Sequence, residues 1–194
     1  PGPGTKVIHA DIDPTEIGRN FRTDTGLVGD IRETLIDLIE ACRSRNTQAN
    51  HGDAVRRIVA LRSEWEQETA EVFASAAIPI RPERLLREIS DRATAETLVV
   101  TDASYVTGWA MSHIDTRGNG VGQISPRGTG GIGWGLPAAI GAKLAAPSRP
   151  VICVTGDGGF GYVLSELETA ARYGVNVVVV VFNNGTLGFQ KHYE

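Results

Sequence analysis

The sequence predicts an α/β fold with a parallel β-sheet, and three features of its C-terminal part carry that prediction. Two valine-rich apolar stretches, 151–155 and 177–182, are typical of strands buried on both faces. Between them, residues 163–173 have the periodicity of a helix that ends at Gly174. The glycine-rich turn TGDGGFG, 155–161, joins the first strand to this helix. The order strand, helix, strand predicts a βαβ unit.

The N-terminal segment predicts the closing strand and helix of a separate, Rossmann-like α/β domain, over residues 1–42. Residues 6–12 are mostly apolar, as in a short strand, and Asp13-Pro14-Thr15-Glu16 has the pattern of a capping box that begins a helix. A second capping box at Asp30 begins another helix. The apolar residues of that helix share one face, which we expect to be buried: Ile31, Leu35, Leu38, Ile39 and Cys42.

A linker and a connecting helix are predicted over residues 43–80. Residues 43–53 are polar and lack periodicity, which is typical of an interdomain linker, with a solvated His51. A long charged helix is predicted over 54–77. Its expected buried stripe consists of Val55, Ile58, Leu61 and Trp65.

The last predicted domain, 81–194, begins with a helix at 82–93 and a strand at 98–101. Residues 106–131 show little regular pattern, so we expect loops there. From residue 136 a helix with small side chains and Pro137 in its first turn is expected to pack closely on the sheet. Three polar residues of the loop region are interpreted as solvated, namely His113, Arg117 and Arg127.

Composition narrows the class of protein. A net charge of -4 gives no basic surface for nucleic acid or an anionic membrane. The longest apolar run, 177–182, is far shorter than the roughly 20 residues of a membrane span, and the start of the chain does not resemble a signal peptide. We expect Cys42 and Cys153 to be buried free thiols, which fits a cytoplasmic protein. Because the chain has no initiator Met and stops soon after its most informative motif, we expect it to be part of a longer protein.

The glycine turn has two interpretations. Gly156-x-Gly158-x-x-Gly161, after a strand and before a helix, has the form of a dinucleotide-binding fingerprint. That site also needs an acidic residue at the end of the second strand, where this chain has Asn183-Asn184. Asp157, in the middle of the turn, would also place a carboxylate beside the pyrophosphate and repel it.

Both departures from the dinucleotide-binding fingerprint are explained by a divalent cation that lies between the protein and a diphosphate. The carboxyl ends of neighbouring strands bring Asp157 and Asn184 to one edge of the sheet. A carboxylate, an amide oxygen and a backbone carbonyl at 185–186 suit magnesium, and diphosphate oxygens and water would complete its shell. The amides of Gly158 and Gly159 can face the same anion. Taken singly, Asp-Gly and Asn-Asn-Gly are also ordinary turn formers.

The pattern Gly156-Asp157-Gly158, 24 residues, Asn183-Asn184 resembles the signature of thiamine-diphosphate enzymes. The segments 133–143 and 166–170 resemble the acetolactate synthase branch of that family, and 7–18 is similar to the end of its central domain. The resemblance covers 6–42 and about 80–192. It implies the diphosphate-domain fold over the last domain, with thiamine diphosphate and Mg²⁺ as cofactors.

The resemblance also implies roles for individual residues. Asp157, Asn184 and the carbonyl of Thr186 would bind magnesium, and Ile132 falls where the family has a bulky apolar residue that bends the cofactor. In the triplet where acetolactate synthases usually have Gly-Gln-His, this chain has Ser104-Tyr105-Val106. The cofactor-binding residues implied in full are Ala103, Ser104, Tyr105, Ile132, Gly156, Asp157, Gly158, Gly159, Asn184, Thr186, Leu187 and Gly188.

The activity implied is 2-oxo acid decarboxylation with carbon-carbon ligation, in a homodimer or homotetramer. Simple decarboxylation, or action on an acyl-CoA, is the alternative within the family. A dinucleotide-binding oxidoreductase domain and a module without chemistry are the alternatives from other classes. An activating glutamate is expected in a pyrimidine-binding domain outside this chain, so the chain alone should be inactive. Asp11 resembles a residue that contacts FAD in the central domain, although a strand-end aspartate also commonly caps a turn.

Overall fold

The computed structural model describes residues 2–45, 52–115 and 122–191, apart from the side chains of 190 and 191. The chain divides into two compact units, Pro1–Arg62 and Ser63–Glu194. The division falls within the segment 43–80, and the domain boundaries given above stay predictions. His51 and Arg117 lie outside the described residues. Among the described residues, no helix combines the length and the apolar composition that crossing a membrane requires.

The first unit contains a parallel pair of strands, β1 (Ile8–Asp11) and β2 (Thr25–Val28), followed by helix α1 (Ile31–Ser44). Asp30 caps α1 as predicted, because its carboxylate accepts hydrogen bonds from the backbone of Arg32 and Glu33. Helix α2 (Gly52–Phe73) begins in this unit and ends in the second. Residues 43–44 and 52–53, predicted as linker, therefore belong to helices.

The helix predicted to begin at Asp13 is wrong. The Asp13 carboxylate accepts hydrogen bonds from the backbone N–H and the hydroxyl of Thr15, at 2.8 and 2.7 Å, which lower the pKa of Asp13. These bonds close a turn, and Gly18 at φ +77° redirects the chain before a helix can form. A pattern that caps helices can equally close a turn when few helix-forming residues follow it.

The apolar faces predicted to be buried on α1 and on the first part of α2 are exposed, since neither helix has a buried residue. Ile31 and Ile58, for example, are 55% and 65% exposed. Two short strands offer too little surface to cover such a face. Trp65, further along α2, packs against Phe73 as expected, with ring centroids 5.6 Å apart.

The second unit is a parallel α/β structure, as predicted. Its strands are β3 (Leu98–Thr101), β4 (Gln123–Ile124), β5 (Val151–Gly156) and β6 (Val178–Phe182). Its helices are α3 (Pro82–Arg92), α4 (Tyr105–His113), α5 (Gly135–Ala145), α6 (Asp157–Tyr162), α7 (Glu166–Arg172) and α8 (Gly188–Lys191). The strand order is β4-β3-β5-β6, and every pairing is parallel.

The sheet is covered on both faces, which explains why its central strands are apolar without alternation. Val100 and Cys153 pack on one face, against α5 and α7. Val99 and Val154 pack on the other face, against α3 and α4. Because successive strand residues point to opposite faces, each strand contributes to both clusters.

Two helical assignments differ from the sequence interpretation. Helix α4 and strand β4 lie in the region predicted as loops. The helix predicted over 163–173 is the shorter α7, because residues 163–165 form a turn. A separate helix, α6, begins at Asp157, so most of the predicted glycine turn is helical and directly follows β5.

Neither of the two cysteines that the structure describes forms a disulfide, as expected, but only Cys153 is buried and Cys42 is exposed. Burial, with the nearby charge of Asp102 as a second cause, raises the pKa of Cys153 to about 12.

At pH 8 we expect iodoacetamide to alkylate Cys42 and to spare Cys153 until the protein is denatured, because the thiolate is the reactive form. Peptide mass spectrometry of the two alkylation rates tests this, and equal rates in the native protein would contradict the burial of Cys153.

Candidate functional site

A cleft lies at the carboxyl edge of the four-stranded sheet, where β3, β5 and β6 end. Parallel pairing explains its position. Thr101 pairs with Val154 and Gly156 pairs with Phe182, so the segments that follow these strands emerge at the same edge. Open α/β sheets bind ligands at this edge.

All the residues predicted to bind the cofactor line this one cleft. They come from three separate segments of the chain together with Ile132: Ala103, Ser104 and Tyr105 after β3; Gly156, Asp157, Gly158 and Gly159 at the end of β5; and Asn184, Thr186, Leu187 and Gly188 after β6. The structure thus brings together residues that are far apart in sequence, while the role of each stays a prediction.

Asp157 joins the ends of β5 and β6 directly. Its Oδ2 accepts a hydrogen bond from the backbone N–H of Gly185 at 3.0 Å. In the turn that follows β6, the Oδ1 of Asn184 accepts one from the backbone N–H of Thr186 at 3.1 Å. Both side chains therefore also shape the turn, as Asp and Asn commonly do. The second carboxylate oxygen of Asp157 accepts no hydrogen bond from the described residues.

The oxygen donors of this turn suit a hard cation but do not complete its shell. Asp157, the Asn184 side chain and the Thr186 carbonyl amount to three kinds of oxygen ligand, whereas magnesium takes about six. In the parts of the chain that the structure describes, no group of three or more His, Cys, Asp or Glu residues could hold a metal. A cation here needs further oxygens, and a diphosphate has them.

Two glycines of α6 occupy positions where a side chain would collide with a neighbouring residue. A Cβ on Gly158 would lie 2.5 Å from Cδ2 of Leu187, and a Cβ on Gly159 would lie 2.5 Å from Oδ2 of Asp102. The leucine side chain could move, whereas the Asp102 carboxylate is fixed by hydrogen bonds. Glycine at these two positions therefore allows α6 to pack directly against Leu187 and Asp102.

Aromatic side chains form one wall of the cleft. The ring of Tyr105 lies 5.9 Å from that of Trp109 and 5.3 Å from that of Phe189. Trp109 in turn lies 6.3 Å from Phe182. These distances are typical of packed aromatic pairs. The wall is apolar, so it can cover part of a bound molecule and exclude water.

Sequence reasoning missed four of the lining residues, Asp102, Val106, Trp109 and Phe182. Asp102 and Phe182 lie at the ends of β3 and β6, where the argument used for Asp157 also applies. Trp109 follows Tyr105 by one helical turn, but this signal needed the unpredicted helix α4.

Two other polar residues lie away from the cleft. Arg127 is exposed, as expected. His113, predicted as a solvated loop residue, instead ends α4 and is half-buried, with its ring 5.9 Å from Trp65 and 5.6 Å from Phe73. Burial lowers the pKa of His113, and the charge of Glu83 opposes that shift. The environment of His113 is therefore that of a packed side chain.

Comparison with known proteins gives a matching family model and relatives of similar sequence. Residues 102–194 match the family model described as thiamine pyrophosphate enzyme, C-terminal TPP binding domain. The chain is 35% identical to a probable acetolactate synthase large subunit of Methanococcus aeolicus, an alignment that covers 94% of this chain and 32% of the relative. It is 33% identical to the acetolactate synthase large subunit of Parasynechococcus marenigrum (99% and 30%) and 30% identical to that of Haemophilus influenzae (99% and 33%).

The chain therefore spans about a third of the length of these curated relatives. The family model covers the segment from the end of β3 onward, which contains the whole cleft. The similarity to acetolactate synthase large subunits extends over nearly all of the chain, including its first unit. From these matches and from their parallel α/β fold, residues 102–194 belong to the family of thiamine pyrophosphate enzyme C-terminal domains, and the chain as a whole is similar to acetolactate synthase large subunits.

Proposed function

We propose that this chain supplies the magnesium and diphosphate half of an active site that decarboxylates a 2-oxo acid and joins the product to a second carbonyl compound. The observation that carries the proposal is the bond between Asp157 and Gly185 at the cleft. It brings the carboxylate and the asparagine turn together across β5 and β6, where a dinucleotide site would need an unobstructed backbone and a ribose-binding acid.

In this proposal Asp157, Asn184 and the Thr186 carbonyl hold magnesium. Gly158 and Gly159, with the backbone of 187–188, bind the diphosphate, and Ile132 packs against the cofactor. Bound thiamine diphosphate supplies the carbon chemistry of decarboxylation and ligation. The contribution of this chain is to bind and orient that group and to keep water from its apolar side, which the wall of Tyr105 and its aromatic neighbours favours.

Because of their charges, the binding of magnesium and the binding of the diphosphate depend on each other. The Asp157 carboxylate lies in the cleft, so an incoming diphosphate meets a negative charge unless a cation lies between them. The three proposed protein ligands leave the shell of the cation incomplete until the diphosphate adds its oxygens. Each ligand should therefore raise the affinity for the other by the same factor.

The first unit offers no support for a flavin site at Asp11. Its Oδ1 accepts a hydrogen bond from the backbone N–H of Asp13 at 2.9 Å, so the side chain caps the turn after β1. We therefore assign Asp11 a structural role and propose no FAD contact for it. The activating glutamate, the 2-oxo acid pocket and the homo-oligomer remain proposals that concern the intact protein, since this chain spans about a third of its relatives.

Ser104 holds a strained backbone at the cleft. Its φ of 81° and ψ of -161° lie in a region that is essentially restricted to glycine, and such residues cost about 1–3 kcal/mol. The hydroxyl makes no capping hydrogen bond to α4. Acetolactate synthases usually have glycine here, so this chain keeps the backbone path with a residue that strains it.

Asp157→Asn tests the proposed metal site. The amide keeps the size of the side chain but loses the charge that attracts a cation. We expect magnesium-dependent binding of thiamine diphosphate by the intact protein to weaken on the order of 10- to 100-fold, the range for a lost charged contact. Isothermal titration calorimetry measures it, with Asp91→Asn, an exposed carboxylate of α3, as the control.

Unchanged binding in Asp157→Asn would contradict the metal site. Binding of NAD by the unmodified protein in the presence of EDTA would favour the dinucleotide interpretation instead. Turnover of a 2-oxo acid by the intact protein tests the activity separately. The 194-residue chain by itself is expected to show none.

Ser104→Gly should stabilise the protein. Relief of about 1–3 kcal/mol of strain exceeds the roughly 0.5–1 kcal/mol that glycine costs through the entropy of the unfolded chain. We expect a net gain on the order of 1 kcal/mol in the free energy of unfolding, measured with urea. Ser104→Ala removes only the hydroxyl and keeps the strain, so it is the matched control. A glycine variant no more stable than the alanine variant would show that the backbone is not strained.

A further inference from the structure

Asp102 is the most completely bonded side chain at the cleft. It follows β3 and is 1% exposed. Its Oδ1 accepts hydrogen bonds from the backbone N–H groups of Ala103, Gly133 and Trp134, at 2.7, 3.0 and 3.3 Å. Its Oδ2 accepts one from the Thr155 hydroxyl at 2.9 Å and lies 3.1 Å from the Gly133 nitrogen.

These bonds join three segments of the chain. Ala103 leads into α4, Gly133 and Trp134 precede α5, and Thr155 belongs to β5. Each segment also contributes a predicted cofactor contact immediately beside the bonded residue. Ser104 follows Ala103, Ile132 precedes Gly133, and Gly156 follows Thr155. One buried carboxylate therefore sets the positions of three parts of the cleft relative to one another.

The space around Asp102 is closed on two sides by glycines. A Cβ on Gly135 would lie 3.0 Å from Cβ of Asp102 and 3.1 Å from its backbone nitrogen. A Cβ on Gly159 would lie 2.5 Å from Oδ2. Both glycines are needed for α5 and α6 to approach the carboxylate this closely. The width of the Asp102 side chain thus determines the distance between residues 132–135 (the Ile132 segment) and the first turn of α6 (the Gly159 turn).

Asp102 differs from Asp157 in what its oxygens can still accept. A carboxylate has about four lone-pair positions, and the donors around Asp102 account for them. A charge this deeply buried is tolerated because N–H and O–H groups surround it. Asp102 has no oxygen left for a cation, whereas Asp157 has one.

We infer that Asp102 is a positioning residue of the cofactor site. Its carboxylate holds the Ile132 segment and the Gly159 turn at a fixed separation, so that the cleft has its binding shape before thiamine diphosphate enters. This inference rests on the proposed function, because that function assigns the cofactor to the cleft. A preformed site binds more tightly because less conformational entropy is lost on binding.

The test compares three variants of the intact protein. Asp102→Ala removes every bond to the carboxylate. Asp102→Asn keeps the shape and one acceptor oxygen for the backbone amides, and its NH2 group can donate to the Thr155 hydroxyl. Thr97→Val is the matched control. It removes the part-buried hydrogen bonds that join the Thr97 hydroxyl to the backbone N–H and the hydroxyl of Thr94, at 2.9 and 3.2 Å, at the opposite end of β3 and away from the cleft.

Affinity for thiamine diphosphate with magnesium is measured by calorimetry, at a temperature where each variant is folded. We expect this affinity to fall on the order of 10- to 100-fold in Asp102→Ala and to stay within about threefold of the unmodified value in Asp102→Asn. In Thr97→Val we expect the affinity to be unchanged although the protein is less stable. Amide hydrogen exchange of the unliganded, unmodified protein should show Gly133 and Trp134 protected. That measurement and the Asn variant remain decisive if the Ala variant does not fold.

Four results would overturn the inference. The first is a folded Asp102→Ala variant that binds with unmodified affinity, and the second is a Thr97→Val variant that loses as much affinity as Asp102→Ala. The third is exchange of the Gly133 and Trp134 amides as free as in an unfolded chain. The fourth is an Asp102→Asn variant that loses as much affinity as the Ala variant, because charge and not position would then matter. If the unmodified protein does not bind thiamine diphosphate at all, the proposed function fails, and not the role of Asp102.

Discussion

The parallel register of β3, β5 and β6 is the constraint on which the rest of the site depends. Pairing of Thr101 with Val154 and of Gly156 with Phe182 makes three strands end at one edge. A slip of one residue would turn the strand side chains to opposite faces and bury the wrong set. The two apolar clusters on either side of the sheet oppose such a slip, so the hydrophobic core fixes where the polar groups of the cleft emerge.

Given that edge, the distribution of hydrogen-bond donors gives two nearby aspartates different roles. Asp102 is buried and surrounded by donors, which stabilise its carboxylate and fix its geometry. Asp157 lines the cleft, and within the part of the chain that the structure describes its carboxylate accepts one hydrogen bond, from Gly185. In the proposed site, the first carboxylate maintains the shape of the cleft and the second binds the cation. Residue type alone does not distinguish them, whereas the donors around each one do.

The sequence predicted the structure correctly where the hydrophobic pattern and the packing agree. The apolar runs of β3, β5 and β6 and the spacing of Asp157 and Asn184 predicted the sheet and its edge. Helix α4 was missed because Val106, Thr107 and Gly108 are poor helix formers, and burial of Val106, Thr107 and Ala110 stabilises it instead. Asp102 was missed because its partners lie 31, 32 and 53 residues away, a separation that no local motif encodes. In the first unit, periodicity predicted buried faces on α1 and α2 that are exposed.

The proposed site requires a metal ion between the ends of β5 and β6 and a diphosphate. Replacing magnesium by Mn²⁺ in the intact protein with bound thiamine diphosphate, and following paramagnetic broadening by NMR, tests this directly. We expect broadening of both phosphorus signals of the cofactor and of the side-chain amide of Asn184, with none at the side-chain amide of Asn176 at the far end of β6. Broadened phosphorus signals with an unaffected Asn184 amide would place the metal elsewhere and contradict the proposed site.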